Sequence, residues 1–191
     1  MTTPTVYIII GTAGSGKSLR ARRIARHLHA TYLDKDAMSA RFVEAGLVAA
    51  GYEAGDRESN DYYTTTLLPL EYDSLLDVAG QNLRLGNSVV LDAPFSPFLA
   101  DPDFVTSARR RFDWPTETRI KVIQIHVAPE LLKARLRARG LARDAAKLAD
   151  WDSYWAQHGN ITCAWRGVEL REIHKDADED DELTDESNLL I

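Results

Sequence analysis

The chain has 191 residues, 45% of them hydrophobic and 27% charged, with a formal net charge of −6. That is enough apolar material for one compact core, while a single cysteine, Cys163, excludes an intrachain disulfide and a cysteine-rich metal site. Eight acidic residues and no basic one fall in the last sixteen positions, which leaves the rest of the chain at +2 and speaks against a dedicated nucleic-acid binder.

Val6–Ile10 is a short, all-apolar, β-branched run and reads as a central buried strand. Lys17–Ala30 reads as a helix, with Ala21, Ile24, Ala25 and Leu28 as its apolar stripe. "TYLD", Thr31–Asp34, is a second strand candidate. Met38, Phe42 and Ala45 then fit one face of a helix ending near Gly46, and the polar stretch from Ala50 to Asp61 reads as loop. Leu68, Tyr72, Leu75, Leu76, Ala79 and Leu83 form the stripe of a further helix, stopped at Gly86 and kinked or opened by Pro69. "SVVLD" (Ser88–Asp92) and "IKVIQIHV" (Ile120–Val127) are two more strands. Pro129 opens an arginine-bearing helix. Asp144 is a candidate cap for the next one, with Leu148, Trp151 and Trp155 on its buried face, and "VELREI" (Val168–Ile173) is a candidate fifth strand.

Strands alternating with helices imply parallel pairing through βαβ crossovers, so the expected fold class is α/β. The expected organisation is one domain over 1–175, with a lid at about 130–158, followed by an acidic tail over 176–191 whose simplest state is disordered and solvated. No apolar run is long enough to span a bilayer and no signal-type segment is visible, so a cytoplasmic protein is expected.

"GTAGSGKS" has the form G-x-x-x-x-G-K-[ST], with Gly11, Gly16, Lys17 and Ser18 in the required places. Glycines let the backbone turn tightly and approach an anion, and the exposed N–H groups form a nest around phosphate oxygens. The helix starting near Lys17 points its positive end at them. The expected nucleotide contacts are Gly11, Thr12, Ala13, Gly14, Ser15, Gly16, Lys17, Ser18 and Leu19. Lys17 reaches the β- and γ-phosphates and the Ser18 hydroxyl holds Mg²⁺. The alternative is a chance glycine turn, but the strand before and the helix after supply the context that the motif needs. No guanine-reading N-K-x-D string occurs, which favours ATP.

"YLDKDAMSARF" sets Asp34 and Asp36 at the end of the second strand, where ligands gather in open parallel sheets. Transfer to an alcohol needs a carboxylate to orient the hydroxyl and accept its proton, and Asp36 is the choice for that role. If the strand continued that far, Asp34 would share its side and serve metal or substrate. The competing reading has Asp36 capping a helix that starts at Ala37. Asp92, after an apolar strand, has the shape of a Walker B carboxylate that holds Mg²⁺. In "RLRARGLARDAAK", Arg135 and Arg139 share a helix face, and Gly140 separates Arg143. These cations suit a lid closing over the transferred phosphate, against the alternative of a solvated basic face.

"GTAGSGKS", "LDKD", "VVLDAPF" and "RLRARGLARD" together resemble the small P-loop kinases: shikimate, gluconate and adenylylsulfate kinases, zeta-toxin kinases and the kinase module of polynucleotide kinases. The similarity covers about Thr5–Trp155 and is nearest to the ATP-binding kinase-like proteins close to zeta toxin. It implies a five-stranded parallel sheet in order 2-3-1-4-5 flanked by helices, an arginine-bearing lid, ATP as donor and Mg²⁺ as cofactor. It implies that Asp36 prepares the acceptor hydroxyl and that Arg139 and Arg143 stabilise the transferring phosphate. One departure concerns the acceptor. Several relatives carry an arginine three residues after the second aspartate, but here that residue is Ser39 and the nearest arginine is Arg41.

The leading expectation is a kinase acting on a hydroxyl of a small metabolite, nucleotide-sugar or antibiotic, with Asp34, Asp36, Arg41 and Asp92 on the substrate side. Tyr62, Tyr63 and Tyr72 are candidate pocket residues that serve equally well as packing. A polynucleotide 5′-hydroxyl kinase would need a basic channel, and a regulatory nucleotide-binding module would need neither Asp36 nor the lid arginines. The five histidines show no metal-ligand spacing and receive no role.

Overall fold

The computed structural model describes residues 3–57, 60–141, 144–159 and 162–175. Five strands make one parallel sheet: β1 (Thr5–Gly11), β2 (Thr31–Asp34), β3 (Val89–Asp92), β4 (Arg119–Val127) and β5 (Glu169–Lys175), in the order β2-β3-β1-β4-β5. The expected α/β class and strand order are therefore met. Parallel pairing needs crossovers, and these are α1 (Lys17–Leu28), α2 (Lys35–Ala49), α3 (Leu68–Arg84), α4 (Phe104–Arg111) and α5 (Pro129–Arg139), followed by the short α6 (Ala145–Ala149) and α7 (Trp151–His158). No helix among the described residues is long and apolar enough to cross a membrane.

Alternation along the strands divides the core into two layers. Val6, Ile8 and Ile10 of β1 pack with Leu75, Leu76 and Ala79 of α3 and with Phe104 and Val105 of α4. Tyr7 and Ile9 face the other way, towards Ala21 and Ile24 of α1, Leu132 and Leu136 of α5, and Trp151 of α7. The central strands are buried on both faces, which is why they read as unbroken apolar runs.

Local chemistry decides three positions. First, α2 does not bury a Met38–Phe42–Ala45 face. Its inward row is Lys35, Ser39, Val43 and Leu47, spaced by four, and Phe42 is 80% exposed. The buried row contains a lysine and a serine because a carboxylate waits for them there, so apolarity alone misplaced the face. Second, the strand spans Thr31–Asp34 as expected and does not run on to Asp36. It ends at Asp34, whose carboxylate accepts the Ala37 N–H (3.1 Å) and caps α2. Third, Asp144 directly precedes α6 and is engaged by arginine, described below, while α7 has its own cap, Asp150, through the Ser153 N–H (3.3 Å). The α4 helix and a π-helical turn over Tyr63–Leu67, ahead of Pro69, were not anticipated. Arg143 and the acidic tail lie outside the described residues.

Candidate active site

The P-loop joins β1 to α1 at the carboxyl edge of the sheet. Gly11, Gly14 and Gly16 have φ of 149°, 87° and 91°, a region that side chains disfavour. Two of these glycines also have no room for a Cβ. At Gly11 it would stand 2.7 Å from the Ile125 carbonyl oxygen, and at Gly14 it would stand 3.0 Å from Leu136. The loop is thus pressed against β4 and α5. Gly16 is the N-cap of α1, with no side-chain cap and no acidic residue in the first turn. The positive end of the helix is left for an anion. The Lys17 Nζ donates to the Thr12 carbonyl at 2.8 Å, which holds the ammonium over the same loop. Ser15 is fully buried, and its Oγ has no hydrogen-bond partner among the described residues.

Asp34 and Asp92 are register partners on adjacent strands, so both carboxylates leave the same face of the sheet, the one covered by α1. Tyr32, two residues before Asp34, shares that face. Its hydroxyl lies 2.7 Å from an Asp92 oxygen and 3.1 Å from an Asp34 oxygen. Burial, reinforced by the hydrogen bond to Asp92, pushes the phenol far above its ordinary range, so it stays a donor. Two carboxylates beside the Ser18 hydroxyl, all lining one cleft, make a set of hard oxygen ligands. That set fits Mg²⁺, which prefers oxygen and binds through one or two carboxylates plus phosphates.

A cleft of about 950 Å³ runs from the P-loop past Asp34, Asp36 and Asp92 to Tyr63 and Tyr72. Asp36 stands in the first turn of α2, half exposed, with the Lys35 Nζ at 3.0 Å. Since Asp34 already caps α2, the competing cap reading of Asp36 is not realised. Lys35 is itself buried and pairs with Glu71 of α3 at 3.1 Å. Glu71, only 3% exposed, also accepts from the Tyr63 hydroxyl at 2.7 Å and from the Ser39 hydroxyl. Burial, with the Glu71 hydrogen bond second, raises the Tyr63 pKa, so this phenol too remains protonated. The α2–α3 side of the cleft is therefore tied together by one buried acid. Removing one member of a buried ion pair typically costs about 3–5 kcal/mol. Glu71→Ala should lose stability on that scale in urea unfolding, while Glu71→Gln, which keeps hydrogen bonds to Ser39 and Tyr63, should lose less.

The α5–α6 side of the cleft is also built around an acid. Asp144 is almost wholly buried and receives Arg139 through two bonds, Nε at 2.5 Å and an Nη at 2.7 Å. Lys147 stands 3.8 Å from the same carboxylate. Gly140, with φ 59°, ends α5 and turns the chain towards Asp144. Arg135, Arg139 and Lys147 all line the cleft.

Of the residues singled out in the sequence, Gly11, Thr12, Ala13, Gly14, Gly16, Lys17, Ser18, Leu19, Asp34, Asp36, Asp92, Arg135 and Arg139 line this one cleft. Ser15 lies beneath the loop, and exposed Arg41 is not among the cleft-lining residues. Tyr62 instead stacks on Tyr52, with ring centroids 5.9 Å apart. Sequence reasoning missed Tyr32, Lys35, Glu71 and Asp144. Two of them had a visible signal. Glu71 interrupts the apolar stripe of α3, and Tyr32 shares strand parity with Asp34.

A parallel 2-3-1-4-5 sheet with a P-loop directly after its central first strand, carboxylates at the ends of β2 and β3 and cations from α5 and α6 is the architecture of the small P-loop kinases. The chain belongs to the AAA domain family AAA_33, whose model matches residues 6–160. No curated protein matches it in sequence. Among solved structures it is similar to a provisionally assigned kinase from Chloroflexus aurantiacus J-10-fl, at 22% identity and a TM-score of 0.66, covering 91% of this chain and 86% of that one. It is also similar to a sugar kinase from Janibacter sp. HTCC2649, at 16% identity and a TM-score of 0.57, covering 90% and 85% of the two chains. A gluconokinase from Sinorhizobium meliloti 1021 matches at 16% identity and a TM-score of 0.50, covering 91% and 84%. At these identities the likeness is one of fold.

Proposed function

We propose that this protein is an ATP-dependent phosphotransferase that moves the γ-phosphoryl group to a hydroxyl of a small molecule: a metabolite, nucleotide-sugar or antibiotic. The observation that carries this reading is the position of Asp36. It is free of the capping role and shares one cleft with the P-loop. A nucleotide sensor has no use for a carboxylate there, whereas transfer to an alcohol does. The kinases among the structural neighbours agree with this reading.

In the proposed reaction the P-loop amides and Lys17 hold the phosphate chain. The acceptor oxygen attacks the γ-phosphorus, the bond to the β–γ bridging oxygen breaks, and Asp36 takes the hydroxyl proton. Ser18, Asp92 and Asp34 would hold Mg²⁺, which supplies positive charge to the phosphate oxygens. Lys35 fixes Asp36 on the acceptor side. Arg139, aimed by Asp144, stabilises charge on the transferring group, and Arg135 and Arg143 are proposed to share that role from the lid. Arg139→Ala should therefore lower kcat by about 10²–10³, as loss of a transition-state donor does, with a much smaller change in ATP affinity. Steady-state kinetics beside nucleotide titration would separate the two.

The reading itself is tested by mass spectrometry of a metabolite extract incubated with the protein, Mg²⁺ and ATP. A compound that gains one phosphoryl group with the parent protein, and not with Lys17→Ala or Asp36→Asn, establishes the kinase and names its acceptor class. No such compound, with ATP binding intact, overturns the small-molecule reading.

A further inference from the structure

The five histidines carry no metal signal in the sequence, yet the sheet brings two of them together. His126 near the end of β4 is the register partner of His174 on β5. Glu172 lies two residues before His174 and so leaves the same face of β5. The two imidazoles are nearly parallel, with an interplanar angle of 9° and centroids 4.7 Å apart. The His126 Nε2 stands 3.0 Å from a Glu172 oxygen. One ligand atom from each of the three residues falls within 4.8 Å of the others.

We propose that His126, Glu172 and His174 form a binding site for a divalent transition cation of the Zn²⁺ class, with ligands other than the carboxylates by the P-loop; His126 lines the same cleft as those carboxylates. The competing account is a plain His–Glu bridge on an exposed strand edge. That account uses one imidazole and leaves the second, stacked on it, without a purpose. A metal uses all three groups. Ligands about 2.0–2.1 Å from a tetrahedral zinc lie about 3.3–3.4 Å from each other, a few tenths of an ångström more than the 3.0 Å between His126 and Glu172. His174 is on the exposed edge strand and can rotate to close the remaining gap. Two imidazole nitrogens and one carboxylate oxygen suit Zn²⁺, Co²⁺ or Ni²⁺ and do not suit Mg²⁺ or Ca²⁺. Three protein ligands leave a fourth position for water or a small ligand. Because the ligands come from two strands, the ion would clip edge strand β5 to β4.

The test is calorimetric titration of the chelator-treated full chain with Zn²⁺ alone. The parent protein should bind one Zn²⁺ through this site. His126→Ala and His174→Ala should each weaken that event at least tenfold, and Glu172→Gln should weaken it as well. Asp92→Asn should leave it unchanged, and millimolar Mg²⁺ should not displace it. Thermal unfolding should shift upward with Zn²⁺ in the parent and not in the histidine variants. These side chains are on or near the surface, and circular dichroism would confirm that the variants fold. Equal Zn²⁺ binding by parent and variants would place the ion elsewhere and overturn the proposal, as would no binding by the parent.

Discussion

Lys17→Ala is expected to abolish phosphoryl transfer. The ammonium lies over the P-loop, held by the Thr12 carbonyl, at the uncapped positive end of α1. In the proposed reaction it would neutralise charge on the outer phosphates both before and during transfer, so alanine should damage binding and chemistry together. Loss of a preorganised cation or donor in a site of this kind costs about 10²–10³ in kcat, and loss of ground-state affinity adds to it in kcat/KM. Fluorescent-nucleotide titration should show much weaker triphosphate binding, and turnover should fall below detection. The fold should persist, because the Lys17 side chain is not part of either apolar cluster. An alanine variant that binds ATP with parental affinity would remove the P-loop from the nucleotide site.

Asp36→Asn should separate binding from chemistry. The amide keeps the size of the carboxylate but cannot take a proton. General-base catalysis contributes about 10²–10⁴, so turnover should fall on that scale while ATP affinity stays near parental. The salt bridge from Lys35 at 3.0 Å would be weakened, yet Lys35 keeps Glu71, so the acceptor side of the cleft should hold its shape. Asp34→Asn is the informative companion. It should lower the stability of α2, whose cap it is, by about 1 kcal/mol or less, and it should raise the Mg²⁺ requirement. Parental turnover by Asp36→Asn would show that the base is another group.

The elements were legible where local chemistry and pattern agreed. β1, β3 and β4 are apolar on both sides because both layers of helices cover them, and this leaves a run that no amphipathic helix produces. The P-loop was legible because its glycines answer a backbone demand that is written locally. The buried face of α2 was not legible. Lys35 and Ser39 point inward only because Glu71, thirty-two or more residues away, receives them. Nor could a cap be assigned between Asp34 and Asp36 without knowing where the strand stops.

Sequence by itself determined the phosphate cradle, the alternation of strand and helix and the supply of carboxylates and arginines, since each depends on residues close together in the chain. Tertiary structure alone decided which acid caps a helix and which faces the cleft from its first turn. Tyr32 came to Asp92 across sixty residues, and His126 came to Glu172 and His174 through the pairing of β4 with β5. Such meetings depend on strand order and register, which are set by how whole faces pack together, and no short window of sequence contains that information.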